Sequence, residues 1–250
     1  MGKYLVFELS GKFAHFSDPL TTPRYLKRTF NIIPKTTLFG LLGALIGLKG
    51  YSSLKEGLPE YYELLKDKEI FIIPKNYPYQ KIVVKYNSLN SFANNDPNNA
   101  DKVIINMEEE VILNPDYIIG IHVNENNELD KKIINAIRNN QSFYHIYLGK
   151  NEFFANVRFI SLEQTTPIAE NKVSVSSVIP LDYIKENIRG IDSIILDRMT
   201  YRFIMNNSTN FTSTSIKVGF LKDATEKIEI KDEFMSKFSK LSSGEIVCVF

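Results

Sequence analysis

The chain has 250 residues, a formal net charge of +1, 44% hydrophobic and 24% charged residues, and a single cysteine. That balance is ordinary for a soluble globular protein with a sizeable core, and a domain of this length need not be divided. The lone thiol, Cys248, excludes a disulfide framework and a cysteine-based zinc site, and favours a cytosolic protein in which it is a small buried hydrophobe.

Taken in chain order, Lys3 to Leu9 alternates and is rich in Tyr, Val and Phe, so a first strand is expected there. The start of the chain is too short and interrupted for a signal peptide, and a myristoylation pattern fails because its sixth position lacks the Ser or Thr it needs. A loop with Pro19, Pro23 and Pro34 leads into a helix over Thr36 to Gly47, with Pro34 outside it and a Thr as N-cap. Apolar residues cover nearly every face, which predicts a buried helix. Gly40, Gly43 and Gly47 each cost about 1 kcal/mol of propensity, which implies close approach to a neighbouring strand or a ligand. The longest apolar run, Leu38 to Leu48, is too short for the roughly 20 residues of a membrane span.

Further on, Tyr61 to Lys66 reads as a short helix and Ile70 to Ile73 as a strand closed by Pro74. The runs Lys81–Tyr86 and Lys102–Met107 flank a turn-forming stretch from Asn87 to Asp101, which has the form of a long hairpin arm over 81–107. Glu109 to Val123 gives more strand, Leu129 to Asn139 an amphipathic helix, and Phe143–Leu148 and Phe153–Leu162 strands around Gly149. Beyond Pro180 the pattern weakens to strands at Ile216–Leu221 and Glu245–Phe250. The expected fold class is therefore α+β. Residues 1–165 form a ferredoxin-like, split βαβ domain carrying the arm, and residues 166–250 a smaller β-rich extension.

The net charge hides a segregation. Residues 1–50 hold seven Lys and Arg against two acids, a balance of +5, while residues 101–150 hold five against eight, a balance of −3. Acid-free stretches run from Pro19 to Lys55, from Ile70 to Asn95 and from Arg198 to Lys222. Brought together, they make a basic face suited to a polyanion.

Catalytic signatures are sparse. No HExxH, paired-cysteine, Walker or dinucleotide pattern occurs, and no cofactor or metal is implied. Glu108-Glu109-Glu110 reads as a solvated run, since consecutive strand residues point to alternate faces. His122 and His145 fall within strand patterns. His15 differs, because it follows Lys12 and precedes Arg24-Tyr25-Leu26-Lys27-Arg28. Cations on phosphates and flat rings on unpaired bases make an RNA-binding set from these residues. The alternative is a metal-independent endoribonuclease with His15 as general base and Tyr25 and Lys27 near the scissile phosphate. Binding is preferred, since it needs no aligned attack geometry. Lys35, Thr36 and Thr37 add a helix start whose N–H groups attract anions, and Lys81 and Lys85 add cations on the arm.

Three segments carry a family resemblance: His15-Phe16-Ser17-Asp18-Pro19, Pro34 to Gly47, and Tyr144-His145-Ile146-Tyr147-Leu148-Gly149-Lys150-Asn151-Glu152. They resemble the Cas-five subunits of type I CRISPR systems, with subtype I-B the most similar. The resemblance implies a RAMP-superfamily, RRM-like protein with a thumb-like hairpin, for which the arm is the candidate. It implies a subunit of Cascade, in antiviral defence, that caps the 5′ handle of the CRISPR RNA. Its implied neighbours are the backbone subunit and the large subunit, with target DNA met only through the complex. One branch of the family is itself a nuclease, but its Tyr, Lys and His have no matching positions here, as no Lys-His pair occurs.

Overall fold

The computed structural model describes residues 2–19, 26–51, 56–89, 104–185, 194–207, 210–222 and 225–250. Its first part contains β1 (Lys3–Gly11), β2 (Phe13–Ala14), α1 (Lys35–Ile46), α2 (Glu60–Leu65) and β3 (Ile70–Pro74). β4 (Lys81–Leu89), β5 (Ile104–Leu113), β6 (Asp116–His122), α3 (Glu128–Arg138) and β7 (Ala155–Gln164) follow.

Four of these strands form one sheet in the order β3-β6-β1-β7, with every neighbouring pair antiparallel. The strand period of two sorts its side chains. Leu5, Phe7 and Leu9 of β1 join Leu38 and Leu42 of α1 and Ile133 and Ile137 of α3 in the main buried cluster. The alternate residues Tyr4, Val6, Phe71 and Ile73 pack with Leu241, Val247 and Val249 from the end of the chain. Both faces of the sheet are thus covered, which is why its strands read as near-continuous apolar runs. Each fully buried Leu, Ile or Phe contributes roughly 1.5–3 kcal/mol.

α1 is buried round most of its circumference, as its composition requires. Its cap differs from expectation. Pro34 is the N-cap residue and makes no side-chain cap bond, so Thr36 and Thr37 lie inside the first turn. A Cβ on Gly43 would stand 2.4 Å from Cβ of Tyr61, so the close approach is to α2. The helix ends at Gly47, whose φ of 79° is left-handed.

The later part contains β8 (Thr166–Pro167), β9 (Lys172–Val173), β10 (Ile179–Pro180), β11 (Ile194–Met205) and β12 (Phe211–Leu221). β13 (Ile228–Glu229), β14 (Phe238–Lys240) and β15 (Ile246–Cys248) close it. It is strand-rich and shares the main core through Val178, Met199, Val218, Phe220 and Phe250. It also shields the outer edge of β3. The amides of Val178 and Phe250 donate to the carbonyls of Ile72 and Ile70, at 2.8 and 3.0 Å.

The arm is present as β4 paired to β5, in register from Lys81↔Ile112 to Leu89↔Ile104; the expected tip between them lies outside the described residues. Two expectations are corrected. Residues 143–148 are not a strand, since the amides of Phe143 and Tyr144 donate to the carbonyls of Leu45 and Ala44 in α1. Glu109 is not solvated: it is 2% exposed, because its position in β5 faces the body of the protein. No helix is long and apolar enough to cross a membrane among the described residues.

Candidate nucleic-acid interface

The root of the arm is where the early chain, β5 and the segment after α3 meet. β2 pairs with β5 through Phe13↔Leu113 and Ala14↔Ile112. The next residue, His15, is fixed by its amide, which donates to the Leu148 carbonyl at 3.1 Å. Lys27 runs beside the same strand, its amide donating to Glu108 O and its carbonyl accepting from Glu110 N, both at 2.9 Å.

These backbone contacts assemble a side-chain network. His15 is 4% exposed. Its Nδ1 lies 2.7 Å from the Glu110 carbonyl oxygen, and its Nε2 lies 3.2 Å from Oε1 of Glu109. A carbonyl only accepts, so Nδ1 carries a proton in this geometry. The other Glu109 oxygen accepts from Lys150 Nζ at 2.9 Å and from the Tyr86 hydroxyl at 3.0 Å. Burial by itself would raise the Glu109 pKa; the hydrogen bond from Lys150 and the charge of His15 outweigh it and hold the carboxyl below its ordinary range. Burial likewise opposes the charge on Lys150, but Glu109 and Glu152 reverse that effect and raise its pKa. Tyr86 is pushed up by burial and by its bond to Glu109. The Lys150 ammonium also lies over the rings of Tyr86 and Phe153, at 5.3 and 5.6 Å from their centroids. Beside the network is a cavity of about 360 Å³ that reaches to Phe13, Ile82 and Val84.

Gly149 sets the segment that delivers Lys150. Its φ is +88°, and a Cβ there would stand 1.9 Å from the His15 carbonyl oxygen. Only glycine fits on both counts. A few residues earlier the same segment is anchored on α1. The amides of Phe143 and Tyr144 donate to the carbonyls of Leu45 and Ala44, at 3.0 and 3.1 Å, taking up acceptors left open at the helix end. The result is an exposed aromatic ledge. Phe143, Tyr144 and Phe154 are 71%, 51% and 64% exposed, and Phe143 and Tyr144 pack edge to face at 4.7 Å. His145 and Phe154 line a shallow depression of about 320 Å³ on the same ledge. Contiguous exposed rings of this kind mark contact surfaces.

Of the residues singled out in the sequence, Lys12, His15 and Lys27 stand beside β5, Arg28 follows Lys27, and Lys81 and Lys85 lie on β4, on the ribbon face opposite Ile82, Val84 and the cavity. Lys12 and Arg28 are exposed and Lys27 is half-buried. The arm cations are matched across the hairpin, with Lys85 Nζ 2.6 Å from Glu108 and Lys81 Nζ 3.6 Å from Glu110. Lys81 also donates to the Thr29 carbonyl at 3.1 Å. Arg24 and Tyr25 lie outside the described residues. Lys35 is elsewhere. It is 4% exposed, with Nζ donating to the backbone oxygen of Phe250 at 2.7 Å, so it is a core residue and not a surface point charge. Thr36 is buried beside it and Thr37 half-buried. The sequence reading missed Tyr86, Glu109 and Phe153 as a group. Period-two alternation puts Ile82, Val84 and Tyr86 on one arm face with Glu109 and Val111, and that was the available signal.

The architecture is that of a strand-rich α/β protein, similar in fold to CRISPR proteins. One solved relative is a chain titled "CRISPR RNA-guided surveillance complex", at 9% identity and a TM-score of 0.54, covering 97% of this chain and 92% of that one. Another is a CRISPR protein from Archaeoglobus fulgidus, at 15% identity and a TM-score of 0.53, covering 100% and 99%. A third comes from the Type III-B Cmr-beta complex bound to cognate target RNA, at 12% identity and a TM-score of 0.50, covering 98% of each chain. Comparison with curated proteins finds no match. A family model described as CRISPR-associated protein (Cas_Cas5) matches residues 4–217, and the chain belongs to that family.

Proposed function

We propose that the chain is a non-catalytic RNA-binding subunit of a Cascade-type CRISPR ribonucleoprotein in the cytoplasm. In this reading it caps the 5′ handle of the CRISPR RNA, contacts the neighbouring backbone and large subunits, and meets target DNA only through the complex. The observation that carries it is the convergence of the three family-resembling segments. Gly149 packs on His15, and Phe143, beside the third segment, is anchored on the end of α1, so the stretch 143–154 carries the aromatic ledge and, through Lys150 and Phe153, part of the cavity lining at the arm root. Exposed rings offer stacking to unpaired bases, and Lys12 and Arg28 offer charge to phosphates. The sheet order β3-β6-β1-β7, with α1 and α3 in the two crossovers, supports a ferredoxin-like, RAMP-type body over residues 1–165. Both His15 ring nitrogens are engaged by protein oxygens, which supports binding over cleavage, since a general base needs one free to take the 2′-OH proton.

The test is a titration of the chain with single-stranded repeat RNA at several salt concentrations. Binding should weaken with salt, and Lys12→Ala with Arg28→Ala should lower the log–log slope by roughly 1.4, about 0.7 for each phosphate no longer neutralised. No binding, or an affinity independent of salt, would refute the reading.

A further inference from the structure

The cavity at the arm root, about 360 Å³, combines an apolar lining with a polar end. One wall is aliphatic, formed by Ile82 and Val84, each 38% exposed although they belong to a strand. The same sheet face carries Phe13, whose ring lies 5.7 Å from that of Phe153 and is tilted to it by 46°. The polar end is made by Lys150, the Tyr86 hydroxyl and Glu152. Its electrostatics exclude a phosphate as the occupant. Lys150 is the cation in the cavity and is matched by two carboxylates, Glu109 at 2.9 Å and Glu152 at 3.1 Å. A dianion would meet more negative charge than positive. A neutral ring finds dispersion contacts with the apolar lining, the remaining N–H donor of Lys150 and an acceptor from Glu152 at its edge.

We propose that this slot holds one unpaired nucleobase of the bound RNA. Its ring packs against the arm's aliphatic side chains and the Phe13–Phe153 pair, its edge points toward Lys150 and Glu152, and its phosphates stay outside. Glu109 acts as a positioning residue: it touches Lys150, Tyr86 and His15, and so sets the donor geometry without reaching the base. The inference rests on the RNA-binding reading above and deepens it by naming where one base is held. A base with both a donor and an acceptor on one edge complements the Lys150–Glu152 pair.

The test pairs protein variants with an abasic scan. Full-length chain is titrated with single-stranded repeat RNA, intact or lacking one base at each position in turn. One abasic position should weaken wild-type binding roughly ten- to a hundredfold, the effect of removing one stacked base. Phe153→Ala should show the same weakening with intact RNA and no further weakening when that base is missing. Val84→Asp, on the arm side of the cavity, should repeat the pattern, with unchanged melting temperatures showing that both variants fold. Effects that multiply at every position, or the absence of a sensitive position, overturn the slot while leaving RNA binding intact. Variants that bind RNA like wild type but fail to co-assemble with partner subunits assign the cavity to a protein side chain and also overturn it. A wild-type chain that binds no RNA overturns the parent reading and this one with it.

Discussion

Lys35 offers a prediction worked from its surroundings. The side chain is 4% exposed and its ammonium lies 4.9 Å from the Tyr201 ring centroid, 5.5 Å from that of Phe39 and 5.8 Å from that of Phe250. Burial, reinforced by repulsion from Arg202, pushes its pKa down from 10.5 to about 8. The unfolded chain keeps this proton up to the ordinary lysine range, whereas the folded chain releases it near pH 8. Between those values the unfolded state binds more protons, so stability rises with pH. Below pH 8 the folded protein carries the whole penalty of the buried charge, about 3 kcal/mol from the shift at 1.36 kcal/mol per unit. Raising the pH from about 7 to about 9.5 should therefore stabilise wild type by about 2 kcal/mol relative to Lys35→Met, whose side chain does not titrate. Urea unfolding of both proteins at the two pH values measures this, and the comparison cancels every other titrating group. A difference between the two that stays constant, or that moves against wild type, refutes the assignment of Lys35 to the core.

Gly149→Ala should cost roughly 2–4 kcal/mol in chemical unfolding, because it combines a left-handed backbone with a clash against the His15 carbonyl; a cost below about 0.5 kcal/mol would show that the loop packs elsewhere. Glu109→Gln should destabilise by roughly 3–5 kcal/mol at neutral pH, since it leaves Lys150 and His15 facing an uncharged amide in a buried site. Because the folded-state pKa of Glu109 is lowered, its stabilisation is present above the ordinary carboxylate range and lost as the pH falls through the folded value. Unfolding curves of wild type and Glu109→Gln should converge in acid, and parallel curves would contradict the network.

Elements with a strong local period were legible in the sequence. The glycine-bearing helix, expected over Thr36–Gly47, spans Lys35–Ile46, and the amphipathic helix expected over Leu129–Asn139 spans Glu128–Arg138. β11 was not anticipated, because its exposed Leu196 and Ile204 blur the alternation that marks a half-buried strand. The segment over 143–148 has strand composition, but its amides are drawn to the carbonyls at the end of α1, a tertiary event that no local pattern reports. The interface was legible in part. Charge runs marked Lys12, Lys27, Arg28, Lys81 and Lys85, which lie on or beside the arm, with Lys81 and Lys85 on the ribbon face away from the cavity. They also marked Lys35, which belongs to the core, because a lysine's neighbours in sequence do not reveal which way its helix faces. Glu109 was hidden inside a run of three acids, only one of which turns inward.

In the proposed function, the Phe143–Phe154 ledge and the cavity at the arm root lie against guide RNA. Ultraviolet cross-linking of the assembled ribonucleoprotein, followed by mass spectrometry of this chain, measures that contact directly. The account predicts cross-links between the 5′ end of the RNA and peptides containing Phe143, Tyr144, Phe153 or Phe154. Cross-links confined to other faces of the chain, or found only on partner subunits, would contradict it.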